Sequence, residues 1–174
     1  FVGSAVARHS FTRPTLRISR RGRSVGDEDV QAVDITHRSS LLDAARGAGS
    51  IVHCVSYVGA EGEYAWHVND EGTRVLVEVA EELGIQNVVY ISTTGVYGGG
   101  AHRESNESTA RAPASDASGS RLSAERRGLG AGGSVIRPHL TYGVGDRWFI
   151  PRLVKLANLL GGVPRGVRAS TISV

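Results

Sequence analysis

SIVHCVSYVGAEGEYAWHVNDEGTRVLVEVAEELGIQNVVYISTTGVYG, residues 50–98, decides the fold. Near its two ends stand short runs, SIVHCVS (50–56) and NVVYIS (87–92), that are almost continuously apolar. A strand with one wet face alternates polar and apolar residues. A strand covered by helices on both faces reads as these two do, which predicts a parallel sheet. The stretch between them has a helical period. Over Tyr64–Leu83, residues Val68, Val75, Leu76, Val79, Ala80 and Leu83 share one side, charged residues take the other, and Gly84 supplies a stop.

The same alternation continues outward. Strands are predicted at Thr15–Ser19, Val30–Ile35, Ser50–Ser56, Asn87–Ser92 and Ser134–Arg137, with further helices at Ser39–Ala48 and Ala117–Gly128. Right-handed crossovers wind that order into an α/β, Rossmann-type doubly wound parallel sheet. Gly98–Pro113 is a polar connection of a length that usually marks a functional or mobile loop. Phe149–Leu160 is amphipathic, and the chain stops at Ser173–Val174 inside what reads as another strand. The expected organisation is a nucleotide-binding domain over 1–147 and the start of a substrate-side region over 148–174.

Composition narrows the function classes. With 40% hydrophobic and 21% charged residues the chain is an ordinary globular one. No apolar run approaches the ~20 residues of a membrane span, so no membrane partner is expected. No basic segment followed by an apolar stretch opens the chain, so no secretory signal is expected. Of 20 basic residues only Lys155 is not arginine, but these charges alternate with acids and the net charge is +3, so nucleic acid is not an expected partner. A lone cysteine, Cys54, forms no internal disulfide and suits a reducing cytoplasm. Six histidines lack ligand spacing, and no metal site is expected. There is no methionine, even at position 1, which suggests a processed chain or a fragment.

Five collinear motifs carry a resemblance: FVGSAVARH (1–9), HVNDEGTRVLVEVA (67–80), ISTTGVYG (91–98), SRLSAE (120–125) and VIRPHLTYGVGD (135–146). Together they resemble the extended short-chain dehydrogenase/reductase group, the NAD-dependent epimerase/dehydratase family. The chain is also similar to its atypical, simocyclinone-type polyketide ketoreductases. The resemblance implies a fold truncated at both ends, with the first strand, two fingerprint glycines and most of the substrate domain outside it. It also implies an NAD(P) site in which Val2 and Gly3 end the fingerprint, and the helix after the glycines faces the pyrophosphate.

Arg20 and Arg21 then meet the adenosine ribose. Arginine there supplies donors for a 2′-phosphate, so NADP is the expected cofactor, with NAD possible. Asp34 would accept from the adenine amino group with Ile35 beside the base, or else Asp34 is an N-cap-like residue before the helix at Ser39. Val55, Ser56, Ser92, Pro138 and His139 complete the cofactor neighbours. Cys54 reads as core packing rather than a reactive thiol.

For catalysis, Thr93 matches the family's hydroxyl donor, three residues before Val96 of VYG. Tyr97 of that motif reads as structural. The family's YxxxK pair is missing, because Ala117 takes the tyrosine position and Arg121 the lysine position. Arg121 can still donate to ribose hydroxyls, but Ala117 transfers no proton. Candidates for the missing acid are His139, Tyr142 and water. The expected function is an NAD(P)H-dependent ketoreductase of an aromatic-polyketide carbonyl, whose own phenol hydrogen-bonds the ketone. Alternatives are a non-catalytic NAD(P)-binding redox sensor, a nucleotide-sugar epimerase or dehydratase, and a partial gene product without activity. The expected ligand is a small-molecule substrate, and the oligomeric state is left open.

Overall fold

A computed structural model describes residues 1–9, 15–22, 30–100, 102, 104–147, 149–162 and 171–173. Helix α1 (Val2–His9) is followed by strands β1 (Arg17–Ser19) and β2 (Val30–Ala32) and helix α2 (Arg38–Ala45). Then come strand β3 (Ser50–His53), the short helix α3 (Gly62–Ala65), a π-helical turn (Trp66–Glu71) and helix α4 (Gly72–Glu82). Strand β4 (Asn87–Ile91), a 3₁₀ turn (Thr94–Tyr97), helix α5 (Asp116–Gly130) and strand β5 (Ser134–Ile136) follow. The last elements are strand β6 (Leu140–Tyr142), helix α6 (Ile150–Leu160) and strand β7 (Thr171–Ser173).

Every described ladder is parallel. The strands β3, β4 and β5 lie side by side, with His53 opposite Tyr90 and Tyr90 opposite Val135. β1 pairs with β2, and β6 with β7; the second ladder joins residues on either side of the boundary expected at 147/148. Among the described residues no ladder links β1 to β3, so the expected sheet stands as three parallel pieces. Parallel strands alternating with covering helices make this the Rossmann-type α/β fold.

The largest core cluster shows why these segments take these forms. Leu41 and Ala44 of α2 and Val75, Leu76, Val79 and Ala80 of α4 close on Val33, Ile35, Ile85 and Val88. On α4 these residues recur three and four apart, which is one helical face. Burying a Val, Leu or Ile side chain contributes about 1.5–3 kcal/mol, so this face outweighs the weak helix propensity of its valines. Gly72 opens α4 where a Cβ would lie 2.6 Å from Ile35 Cγ2. Only a residue without a side chain lets the helix approach that closely.

The strands are shorter than predicted, because the chain leaves the ladders for specific partners. After Ala32 the Asp34 carboxylate accepts from the Thr36 amide at 3.0 Å and the Thr36 hydroxyl at 2.8 Å. The residue before α2 is His37, which makes no side-chain cap, so Asp34 holds a turn rather than capping that helix. The helix predicted at 39–48 ends at Ala45, and the one predicted at 117–128 runs from Asp116 to Gly130, with the Ser115 hydroxyl accepting from the Ser118 amide. The predicted helix 64–83 is interrupted by the π turn. Asn69 in that turn is 0% exposed and brackets Tyr57: its Oδ1 accepts from Tyr57 N at 2.7 Å, and its Nδ2 donates to Tyr57 O at 2.9 Å. Widening the helix by one residue lets a helical side chain reach that strand exit. The predicted amphipathic segment 149–160 forms α6, which has no buried residue. Among the described residues no helix is long and apolar enough to cross a membrane.

Candidate active site

Several of the residues predicted from sequence lie just past the C-terminal ends of β3, β4 and β5, where ligands of open α/β sheets bind. Past Ile91 the β4–β5 pairing is prolonged by Ser92 N donating to Ile136 O at 2.7 Å and Thr94 N to Pro138 O at 3.1 Å. Thr93, Thr94, Pro138 and His139 are thereby brought to one place. Thr93 is extended, and its Oγ1 accepts from Gly95 N at 3.1 Å as the cap of the 3₁₀ turn. That bond uses a lone pair and leaves the hydroxyl proton to be donated. The neighbouring Thr94 Oγ1 lies 2.6 Å from His139 Nδ1.

Arg121 reaches this end from α5. Its Nη2 donates to Ser92 O at 2.5 Å and Ile91 O at 3.2 Å, and its side chain lies beside the Tyr90 phenol. In this position the guanidinium fastens α5 to the end of β4 and so fixes the main chain that carries Thr93. Ala117, four residues earlier on α5, offers no proton. Its neighbour Asp116 accepts from Trp66 Nε1 at 3.1 Å.

Beneath the strand ends the His53 ring stacks on Tyr90 with centroids 4.8 Å apart. Burial, and then the Arg121 charge, hold the His53 pKa down to about 3, so the ring is neutral. Burial also raises the Tyr90 phenol above its ordinary value. Thr73 donates its hydroxyl proton to Asn69 O, so the 2.9 Å contact between Thr73 Oγ1 and His53 must be donated by His53 Nε2. His53 Nδ1, Ser56 Oγ and Ser92 Oγ are all buried without a partner among the described residues, while Tyr90 Oη lies beside the Arg121 side chain. Both serines were predicted cofactor neighbours. Val55, beside Ser56, packs its side chain against the core.

At the other end of the predicted site, Arg20 follows β1 and donates to the Tyr64 hydroxyl, its guanidinium 5.8 Å from the ring centroid. Tyr64 meets Tyr57 edge-on at 4.9 Å and borders an open depression of about 470 Å³ with Glu61, Gly62, Glu63 and His67. Arg21 is exposed beside Arg20. The Asp34 carboxyl is held below the usual range by the Thr36 amide bond. Ile35, predicted to lie beside an adenine, has its side chain in the core against Gly72 and is 7% exposed. Val2 and Gly3 open α1, where a Cβ on Gly3 would stand 3.2 Å from Cys54 Cβ. Cys54 is half-buried and its thiol is pushed up to about 11 by burial, in keeping with packing rather than reactivity. Tyr97 accepts from Arg137 Nη1 at 2.9 Å and donates to Asn106 O at 3.1 Å, the structural part expected of it. Tyr142 lies in β6, paired with Ser173.

Sequence reasoning missed Thr94, Tyr64 and Asn69. Thr94 differs from Thr93 only by one place in the chain, and its partner comes from another strand. Tyr64 opens the predicted helix 64–83, and its place just after Gly59 and Gly62 at a strand exit is the signal that marks it. Asn69 was legible only as part of the VND segment.

The sequence profile of the NAD dependent epimerase/dehydratase family matches residues 1–155. A 4-hydroxy-2-methyl-3-oxo-4-farnesyl-3,4-dihydroquinoline-1-oxide ketoreductase of Stigmatella aurantiaca is 26% identical over 165 residues, 88% of this chain and 49% of that protein. The crystal structure of DesIV, a dTDP-glucose 4,6-dehydratase from Streptomyces venezuelae with NAD and TYD bound, superposes with a TM-score of 0.67 at 25% identity, over 76% of this chain and 45% of that one. MoeE5 in complex with UDP-glucose and NAD gives a TM-score of 0.74 at 24% identity, over 92% of this chain and 57% of its own. The chain thus spans about half the length of the ketoreductase it matches. With parallel strands and a profile running through most of its length in agreement, the chain belongs to the NAD dependent epimerase/dehydratase family.

Proposed function

We propose that the chain is the nucleotide-binding part of an NAD(P)H-dependent ketoreductase. The chain's own atoms fit such a cofactor. Among the described residues the Ser56 and Ser92 hydroxyls are buried without partners just past β3 and β4, and Gly3 leaves α1 close against Cys54. Gly3, Ser56, Ser92 and Pro138 would hold the dinucleotide, with Arg20 and Arg21 favouring NADP. When bound, the reduced nicotinamide supplies a hydride to a carbonyl carbon.

One observation carries this reading: Thr93 Oγ1 accepts from Gly95 N and, among the described residues, its hydroxyl proton has no acceptor, although Ala117 has replaced the usual acid. A donor aimed at the oxygen where charge develops is what carbonyl reduction requires. Holding donor and acceptor together supplies several kcal/mol more, up to ~7–11. A ketone already hydrogen-bonded by its own neighbouring hydroxyl suits a site without the tyrosine, as in aromatic polyketide rings. The Stigmatella relative supports this, since its substrate name places a hydroxyl on the carbon next to the ketone. Sugar-nucleotide epimerisation or dehydration would ordinarily call on the missing tyrosine as a base.

The test is NADPH oxidation with a panel of cyclic ketones, with and without a neighbouring hydroxyl, alongside calorimetric titration of NADPH. Reduction of the hydroxyl-bearing ketones is expected. Tight binding with no ketone reduced would replace the enzyme with a redox sensor.

A further inference from the structure

Ala117 leaves the site without a side-chain acid on α5, yet a protonatable ring stands at the same strand end. His139 is exposed and follows Pro138, whose carbonyl accepts from Thr94 N at 3.1 Å. Its Nδ1 is 2.6 Å from Thr94 Oγ1. The ring is therefore held through one nitrogen by a residue adjacent to Thr93, and Nε2 is the nitrogen left for a ligand.

We propose that His139 is the proton donor of this site and that Thr94 is its positioning residue. The proposal rests on the ketoreductase reading. In this proposal Nδ1–H donates to Thr94 Oγ1, one of the two senses that the 2.6 Å contact permits, and the proton transferred is the one on Nε2. As the carbonyl carbon gains hydride, the C–O π pair closes onto oxygen, which takes the Nε2 proton. The N–H bond breaks, an O–H bond forms, and the imidazolium becomes the neutral Nδ1–H imidazole. Because the ring is exposed, water returns the proton to Nε2 before the next turnover. Thr93 donates to the same oxygen from the β4 side, so the two residues share the developing charge. A substrate with its own hydroxyl would relieve His139 of part of this task. One without it would depend on His139 fully.

Nitrogen-15 NMR of the histidine rings reads the arrangement without any turnover. Neutral His139 should be the Nδ1–H tautomer, reverting to Nε2–H in Thr94→Val and restored in Thr94→Ser. For activity, His139→Ala should lower kcat roughly 10²–10⁴-fold for ketones lacking a neighbouring hydroxyl, the usual worth of a general acid. The loss should be much smaller for those that carry one. Thr94→Val should cost part of that loss, Thr94→Ser little, and NADPH should bind Thr94→Val about as well as the parent. A protein that binds NADPH but reduces no ketone overturns the ketoreductase reading and the donor with it. If ketones are reduced, an effect of His139→Ala below about twofold on both classes overturns the donor alone. A tautomer unmoved by Thr94→Val overturns the positioning role.

Discussion

Arg137 clamps Glu125 through two bonds, Nε to Oε1 at 2.8 Å and Nη2 to Oε2 at 2.7 Å, where Glu125 is 1% exposed. The same guanidinium donates to Tyr97 Oη and lies 5.3 Å from its ring centroid. The Arg137 side chain thus ties α5, the exit of β5 and the 3₁₀ turn that follows Thr93. Removing one partner leaves a charge without compensation in a place water does not reach. We expect Glu125→Leu or Arg137→Met alone to cost about 3–5 kcal/mol of folding stability. The double variant should recover much of the loss, since it removes both charges. Chemical denaturation of the three variants checks this, and simple additivity of the two single losses would contradict it.

His53 makes folding stability depend on pH. Its folded pKa, about 3, lies below the model-peptide value of 6.5, so between those values the unfolded chain binds the extra proton and the folded chain does not. The contribution is complete above 6.5 and is lost as pH falls through the window toward 3. The slope for one such group approaches about 1.4 kcal/mol per pH unit. Carboxylates add their own losses only at the acid end, so the span from pH 6.5 to 5 isolates the histidine. Stability measured by urea at several pH values should fall across that span. In His53→Gln, which keeps a donor for Thr73, that part of the curve should flatten.

Cys54 should be nearly inert in the folded protein. Its thiol is pushed from 9.0 to about 11 by burial, and α1 crosses it at Gly3 with little space between. At pH 8 that change alone lowers the thiolate fraction roughly 100-fold, and the thiolate is the reacting form. Labelling by a disulfide reagent should be slow in buffer and fast in denaturant. Gly3→Ala puts a methyl 3.2 Å from Cys54 Cβ, so α1 and Cys54 must part by a few tenths of an ångström. It should also speed the labelling. Rapid native labelling of the parent protein would show that the α1–β3 contact is loose.

The parts of the fold legible in the sequence are those whose cause is local or periodic. SIVH and NVVYI pair in parallel as their almost continuous apolar character predicts, and α4 buries the face its valines mark. The element ends were not legible, because they depend on side chains from elsewhere. The π turn exists where Asn69 reaches back to Tyr57, and the main chain after Ala32 is claimed by Asp34 and Thr36. At the candidate site, motif spacing located Thr93, Arg121 and His139 at one end of the sheet. It did not show that Arg121 would turn its guanidinium onto the carbonyls of residues 91 and 92. Nor did it show that strand register would seat Thr94 against His139. Such pairings come from tertiary geometry, which a single sequence does not state.

The nucleotide end of the site carries the last prediction. Arg20 is exposed after β1, yet it is oriented by its hydrogen bond to the Tyr64 hydroxyl. An arginine so held loses less freedom when it binds a further anion, and a 2′-phosphate presents oxygens suited to its planar donors. We expect Arg20→Ala to weaken NADPH at least tenfold, about 1.4 kcal/mol, while NADH changes little. Tyr64→Phe keeps the ring and loses the hydroxyl, so its loss of NADPH affinity should be smaller. The parent's preference for NADPH should shrink as salt rises, because exposed charges are screened over about 10 Å at 0.1 M. Calorimetric titration of both dinucleotides into the parent, Arg20→Ala and Tyr64→Phe proteins decides the matter. Equal losses for NADPH and NADH would mean that Arg20 braces the strand exit through Tyr64 and does not read the phosphate.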